Sequence, residues 1–255
     1  MYNFTSYLQD SLPEHKKTMD PNFLAWFIGF YEGDGTFVQW RTNKTPNTEP
    51  FNRFQCTIEQ KNNTALLYHI RTTLGFGKVT KHSRGATFRV GKKKDLLKLL
   101  VLFHGNLTLP HRIRQLDQII QNMTLAGWDL PESLQTPQVV SVMPSLDTAW
   151  LAGFFDADAG FWSNRSNNFL SDGGLRVRIK LKFYVTQVCE DEEILLHIGE
   201  LFQPNACRVY RITNGHTFQE YSRLELTRGT SHDRLLMYLK RFPLKGSRRI
   251  DVKVF

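Results

Sequence analysis

Four carboxylates in this sequence are set apart by their spacing. Glu32 and Asp34 close the segment Trp26-Phe27-Ile28-Gly29-Phe30-Tyr31-Glu32-Gly33-Asp34-Gly35-Thr36-Phe37. Asp156 and Asp158 close Trp150-Leu151-Ala152-Gly153-Phe154-Phe155-Asp156-Ala157-Asp158-Ala159-Gly160-Phe161. The two segments match position by position at an offset of 124 residues, near half of the 255-residue chain. If a pseudo-dyad relates them, Asp34 and Asp158 meet. Two apposed carboxylates repel and need a proton or a cation between them. Oxygen ligands favour Mg²⁺ or Ca²⁺ over zinc. Carboxylates holding such ions beside a phosphate suit phosphodiester hydrolysis, in which metal stabilises the attacking and leaving oxygens. A single copy would be read as a helix end whose acids bind nearby amides; two matched copies in a basic chain argue for a shared site.

The elements that must position these acids are legible. Asp20 followed by Pro21 is a helix start, with an N-cap and a proline at the first helical position. Residues 23–31 are apolar all round, which implies burial on every side. Gly29 and Gly33 lie one turn apart, as do Gly153 and Ala157, and small residues at that spacing let two helix backbones approach closely. Each motif leads into an alternating segment, Arg53-Phe54-Gln55-Cys56-Thr57-Ile58-Glu59-Gln60 and Lys180-Leu181-Lys182-Phe183-Tyr184-Val185-Thr186-Gln187, the pattern of a half-buried strand. Both end in Gln, 26 residues after Asp34 and 29 after Asp158, with the difference taken up around Ser171-Asp172-Gly173-Gly174. Gln60 and Gln187 fall on the apolar-facing parity. Helical stretches follow at 62–74 and 190–202, strands at 77–82, 86–91, 207–213 and 217–227, then a helical region in each half. A period this long, present twice, indicates a duplicated domain. Between the halves, 127–145 contains Pro131, Pro137 and Pro144 and no basic residue, and reads as a stiff linker.

Composition narrows the partners. With 41% hydrophobic and 13% aromatic residues the chain can build packed cores. Its 33 Lys and Arg against 24 Asp and Glu leave a net charge of +9, which favours a polyanion. Residues 36–114 hold 15 of the cations, 115–164 none and 165–255 another 16, so two basic lobes flank a charge-poor centre, as a long gripped duplex would require. Cys56, Cys189 and Cys207 are odd in number and far apart, which argues against a disulfide framework or a Cys-rich zinc site. No apolar run reaches the length of a membrane span. The first twenty residues, with Asp10, Glu14, Lys16 and Lys17, resemble neither a signal nor a transit peptide.

These motifs resemble the LAGLIDADG signature, with Leu151-Ala152-Gly153-Phe154-Phe155-Asp156-Ala157-Asp158 a near-literal copy. The first copy departs as Phe27-Ile28-Gly29 and Glu32 but keeps the small residue and both acids. The resemblance implies a monomeric, two-repeat homing endonuclease of the α+β class, each half an αββαββα unit with a four-stranded antiparallel saddle for the major groove. The corresponding division is 1–126 for the first repeat, with 1–19 as an extension, 127–145 for the linker and 146–255 for the second repeat. It implies metal ligation by Asp34 with the Gly33 carbonyl and by Asp158 with the Ala157 carbonyl. Gln60 and Gln187 would orient solvent, and Lys245 matches a family lysine near the site. In the first repeat His111 or Arg112 stands where a lysine is missing. The resemblance further implies Mg²⁺ as cofactor with Mn²⁺ substituting, Ca²⁺ supporting binding without cleavage, short 3′ overhangs, and an organelle-encoded gene. An intron RNA maturase on the same fold, and a binding protein without catalysis, are the rival readings. An aspartic protease is excluded because its Asp-Thr/Ser-Gly lies in a loop, whereas these acids end helices.

On the saddles, Arg176, Arg178, Lys180, Lys182, Tyr184 and Thr186 share one strand face. Four like charges there are unfavourable unless phosphates or guanine edges meet them. The first repeat presents Arg53, Gln55, Thr57 and Glu59, a mixture suited to direct base readout. Further candidates are Gln39, Arg41, Lys78, Lys81, Arg84 and Arg89 in one half and Asn164, Arg165, Arg208, Tyr210, Arg211, Arg223 and Glu225 in the other. A strand of about eight residues spans roughly 26 Å at about 3.3 Å per residue. Two saddles therefore cover about twenty base pairs of double-stranded DNA, and their unlike faces predict an asymmetric site.

Overall fold

The computed structural model describes residues 2–10, 12–16, 18–42, 51–136, 141–169, 174–204, 207–213, 215 and 218–255. Ser171, Asp172 and Gly173 of the expected insertion, Pro137 of the linker, the 217 end of the last strand and the Arg41 side chain lie outside the described residues. A short helix α1 (Thr5–Asp10) precedes the first motif helix α2 (Pro21–Asp34). Strands β1 (Gly35–Thr42) and β2 (Phe51–Gln60), helix α3 (Thr64–Leu74), strands β3 (Lys78–His82) and β4 (Gly85–Val90), and helices α4 (Lys93–Phe103) and α5 (Pro110–Leu125) complete the first half. The second half repeats the order: α6 (Trp150–Asp158), β5 (Ala159–Phe169), β6 (Leu175–Val188), α7 (Glu192–Phe202), β7 (Val209–Thr213), β8 (Glu220–Leu226), α8 (Gly229–Arg241) and α9 (Arg248–Val254). The antiparallel sheets have matching orders, β1-β2-β4-β3 and β5-β6-β8-β7. This is the expected α+β duplication, with one helix more per half. Those added helices, α5 and α9, bear on the site.

Asp20 caps α2 by accepting from the Asn22 amide at 2.9 Å, with Pro21 at the first helical position. Helices α2 and α6 pack against each other at the centre, and Trp26 and Trp150 are wholly buried there. The glycines make the approach possible. A methyl group on Gly29 would collide with the Trp150 carbonyl, and one on Gly153 with the Trp26 carbonyl. Both obstacles are backbone and cannot swing aside. Burial on every side of these two helices follows the all-round apolar sequence.

The linker does more than span. Leu130 and Leu134 are buried, Trp128 packs edge-on against Phe54, and Val142 and Leu107 share a backbone hydrogen bond. Prolines stiffen the segment, but its apolar residues fasten it to the first half. The N-terminal extension is likewise docked. Tyr7 is buried, and Asn106 ties down Asn3 through bonds to its N–H and carbonyl. In the second half, β5 and β6 outrun the helices beneath them. Leu175, Val177 and Ile179 keep their alternation but are exposed, because no core reaches that far along the arm. Among the described residues no helix is long and apolar enough to cross a membrane.

Candidate active site and nucleic-acid interface

At the base of the paired helices the last acid of each motif is half-buried and faces its counterpart. A methyl group on Gly33 would stand 2.6 Å from the Asp158 carboxylate, so the two helix ends all but touch. Burial, and then the charge of Asp158, push Asp34 up to about 7. Burial pushes Asp158 up to about 6. Each acid accepts one hydrogen bond from the strand-end amide of its own half, Gln60 Nε2 to Asp34 Oδ2 and Gln187 Nε2 to Asp158 Oδ2, both at 2.5 Å. A polar residue on the apolar-facing parity thus has its reason: that face leads directly to the acids.

The first acid of each motif does a different job. Glu32 is wholly buried and accepts from the Thr108 and Leu109 amides and from the Trp150 indole, each at 2.7 Å. Asp156 accepts from the Lys245 and Gly246 amides at 2.7 and 2.9 Å and from the Trp26 indole at 2.9 Å. Each acid is therefore braced by the tryptophan of the opposite motif helix and by two amides just ahead of the last helix of its own half. Burial drives Glu32 up to about 8 and raises Asp156 as well. Gly246 is required by the close approach, since a methyl group there would stand 2.8 Å from Asp156 Oδ1.

The braces deliver two arginines. Arg112, on the first turn of α5, donates to the Glu32 carbonyl at 2.7 Å and the Gly33 carbonyl at 3.1 Å. Arg248, at the start of α9, donates to the carbonyls of Asp156 at 3.0 Å, Ala157 at 2.7 Å and Ala159. Both guanidinium charges act to lower Asp34 and Asp158. Lys245, expected beside the acids, lies with its ammonium 5.6 Å from the Trp26 ring centroid. Arg248 lies three positions on, where helix α9 begins. In the first half Arg112 takes the matching place, while His111 Nδ1 is 2.6 Å from Asp191 Oδ2.

Strand register sorts the remaining candidates by face. On the open side of the first sheet lie Arg53, Gln55, Thr57, Glu59, Lys78 and Arg89, and on that of the second Asn164, Arg176, Arg178, Lys180, Lys182, Tyr184, Tyr210, Arg223 and Glu225. Arg84 is in the β3–β4 turn and Arg208 just precedes β7, both exposed. Four candidates have the opposite parity. Gln39 accepts from Asn122 of α5 at 2.6 Å. Lys81 lies over the Tyr68 ring of α3, and Arg211 pairs with Glu192 of α7 at 2.9 Å. Arg165 faces with Ile179 on the exposed back of the β5–β6 arm. In their stead the register turns Trp40, Thr80, His82 and Trp162 to the open side. The cation of Arg53 stacks 5.8 Å from the Trp40 ring, its cross-strand partner on the open face.

The profile of the family described as LAGLIDADG endonuclease matches residues 27–121 and 151–255. The chain belongs to that family. A probable intron-encoded endonuclease 4 of Neurospora crassa is 34% identical over 57% of this chain, and an intron-encoded RNA maturase bI4 of Saccharomyces cerevisiae is 27% identical over 67%. These alignments cover 26% and 23% of those proteins, so the chain spans about a quarter of their length. Among solved structures, the LAGLIDADG meganuclease I-CpaMI bound to uncleaved DNA superposes with a TM-score of 0.68, covering 90% of this chain and 88% of that one at 18% identity. That likeness concerns the fold.

For a LAGLIDADG chain the question is whether these side chains suit a divalent cation. Two carboxylates raised by burial, Asp34 also by the charge of Asp158, are an arrangement that a cation would relieve. Among the described residues no group of three or more His, Cys, Asp or Glu is placed to enclose a metal. This donor set fits Mg²⁺, which commonly takes one or two carboxylates and fills its remaining positions with water and substrate phosphate. The carbonyls of Gly33 and Ala157 already accept from Arg112 and Arg248, and each keeps a second lone pair.

Proposed function

We propose that this chain is a site-specific DNA endonuclease that hydrolyses one phosphodiester on each strand of a long asymmetric duplex site, leaving short 3′ overhangs. The observation that carries the reading is the meeting of Asp34 and Asp158, one from each half, at the pseudo-dyad between two basic saddles. A duplex lying across both saddles would bring its two backbones to the two acids. Bound Mg²⁺ would supply charge stabilisation for the attacking and leaving oxygens. Asp34 and Asp158 would hold it, with the Gly33 and Ala157 carbonyls as additional oxygen donors.

The protein's own contribution is positional. Gln60 and Gln187 fix the carboxylates by their amide bonds and leave each amide oxygen to orient a water molecule. Arg112 and Arg248 hold the helix ends and partly offset the acids' charge, which favours the ionised, ligating form. On the saddles, Arg176, Arg178 and Lys180 form an exposed row that suits phosphates and guanine edges. The Lys182–Glu225 pair at 3.0 Å sets a donor beside an acceptor on the same face, an arrangement suited to base edges.

Selection of cleaved duplexes from a randomised library with Mg²⁺, and of bound ones with Ca²⁺, tests the proposal. Recovery of one asymmetric sequence of about twenty base pairs is expected. A second reading, assistance to intron splicing, draws on the likeness to the maturase bI4. Tight binding of a host intron RNA without nicking of any selected duplex would favour it. An organelle-encoded origin accords with the intron-encoded relatives.

A further inference from the structure

At the outer flank of the first saddle, a cavity of about 820 Å³ opens between the start of β3, the end of β4 and the start of α4. Arg71, Lys78, Arg89 and Lys92 line it. Lys78 and Arg89 are direct cross-strand partners on the open face, an arrangement of like charges that costs free energy unless an anion lies between them. Neither has a carboxylate within ion-pair distance among the described residues, and Asp95 is the acid on the wall. Helix α4 begins there with Lys92 as N-cap and no side chain capping its first amides, so unsatisfied N–H groups add to the positive end.

Gln55 adds an independent polar group at the same place. It lines the same cavity and is only 7% exposed, yet its amide makes no hydrogen bond among the described residues. Gly91 makes room for it, since a methyl group there would stand 2.9 Å from Gln55 Nε2. That amide opens into the cavity, where it can donate to or accept from an occupant. The second half differs at this point. Counted back from Gln60 and Gln187, the places of Gln55 and Arg89 are taken by Lys182 and Glu225, which satisfy one another.

We infer that this cavity is a seat for one phosphodiester of the DNA backbone in the half-site read by the first repeat. The inference rests on the DNA-cutting reading. Lys78 and Arg89 neutralise the phosphate, the α4 amides donate to its oxygens, and the Gln55 amide supplies a further donor. With no counterpart in the second half, this seat would add backbone affinity on the first saddle alone, and carries no sequence information itself.

The test is a scan of the selected duplex with a neutral methylphosphonate at each backbone position in turn, binding being measured by anisotropy in Ca²⁺. One position in the first half-site should weaken binding by the wild-type protein. The same substitution should leave binding by Arg89→Met and Lys78→Met unchanged. Each variant should also flatten the slope of log affinity against log salt by up to about 0.9, the value for one lost phosphate contact. Arg234→Met, on exposed α8, should match wild type. Gln55→Glu should weaken binding by placing a carboxylate at the seat. The scan on wild type needs no variant to fold. Wild-type slopes in both Lys78→Met and Arg89→Met, with the duplex still bound, would overturn the seat alone. Failure of the wild-type protein to bind any duplex would overturn the underlying reading together with it.

Discussion

The indole N–H of Trp150 lies 2.7 Å from Glu32 Oε2, joining the second motif helix to the buried first acid of the other. With Trp26 and Asp156 returning the same bond across the dyad, the first acids act as braces, and the second acids are left facing each other. Trp150→Phe keeps most of the volume but leaves a buried carboxylate oxygen unpaired, at a cost of about 1–3 kcal/mol. Glu32→Gln turns an amide group toward the indole and should cost a similar amount. In a thermal or urea unfolding cycle the double variant should lose less than the sum of the two. Strict additivity would mean that the bond carries no coupling.

The pH dependence follows from the raised second acids. Asp34 rises from an ordinary 3.8 to about 7, so the folded protein holds this proton more tightly than the unfolded chain does. Ionising it therefore destabilises the fold, with the whole cost present above about pH 7 and none near pH 3. Asp34→Asn removes the charge. Allowing for solvent screening, it should stabilise by on the order of 1–2 kcal/mol at pH 8, which is roughly 2–8 °C in Tm. The gain should shrink as pH falls toward 5. Added Mg²⁺ should raise the Tm of wild type at pH 8 and leave that of the variant nearly unchanged. Calorimetry with and without metal checks both.

Helix contact at Gly153 leaves no room for a side chain. Gly153→Ala should drive the new methyl into the Trp26 carbonyl and cost about 1–3 kcal/mol or more. Gly229→Ala meets nothing within 4 Å and should leave Tm essentially unchanged. Equal melting of the two variants would contradict the close packing of the motif helices.

The two faces of the second sheet should separate in a binding assay. Arg178→Met, on the open face, should lower affinity and flatten the salt slope by about 0.9. Arg211→Met, which breaks a pair with Glu192 on the helix side, should leave the slope as in wild type. Anisotropy between 0.05 and about 0.3 M salt resolves a change of that size.

Much of this was legible before any coordinates. Repetition exposed the two motif helices, and the strict alternation of β6 fixed its faces because each second residue is cationic. Gln60 and Gln187 could be found because polar side chains on an apolar parity demand a partner. Where alternation was weak the faces were not legible. Strands β1, β3, β5 and β7 mix polar residues on both sides, so Gln39, Lys81, Arg165 and Arg211 carried no cue to their face. Arg248 did not stand out, because the start of α9 has no side-chain cap to mark it. The docking of the linker through Trp128, Leu130 and Leu134 was not legible, because it depends on surfaces far away in sequence.

The central claim is that Asp34 and Asp158 jointly serve the cutting of both strands, and cleavage of a plasmid carrying the selected site tests it most directly. In Mg²⁺ the wild-type protein should linearise the plasmid, while Asp34→Asn and Asp158→Asn should each fail to do so and still bind the site in Ca²⁺ within about threefold of wild type, less than the tenfold that 1.4 kcal/mol represents. Full linearisation by either variant would contradict the account.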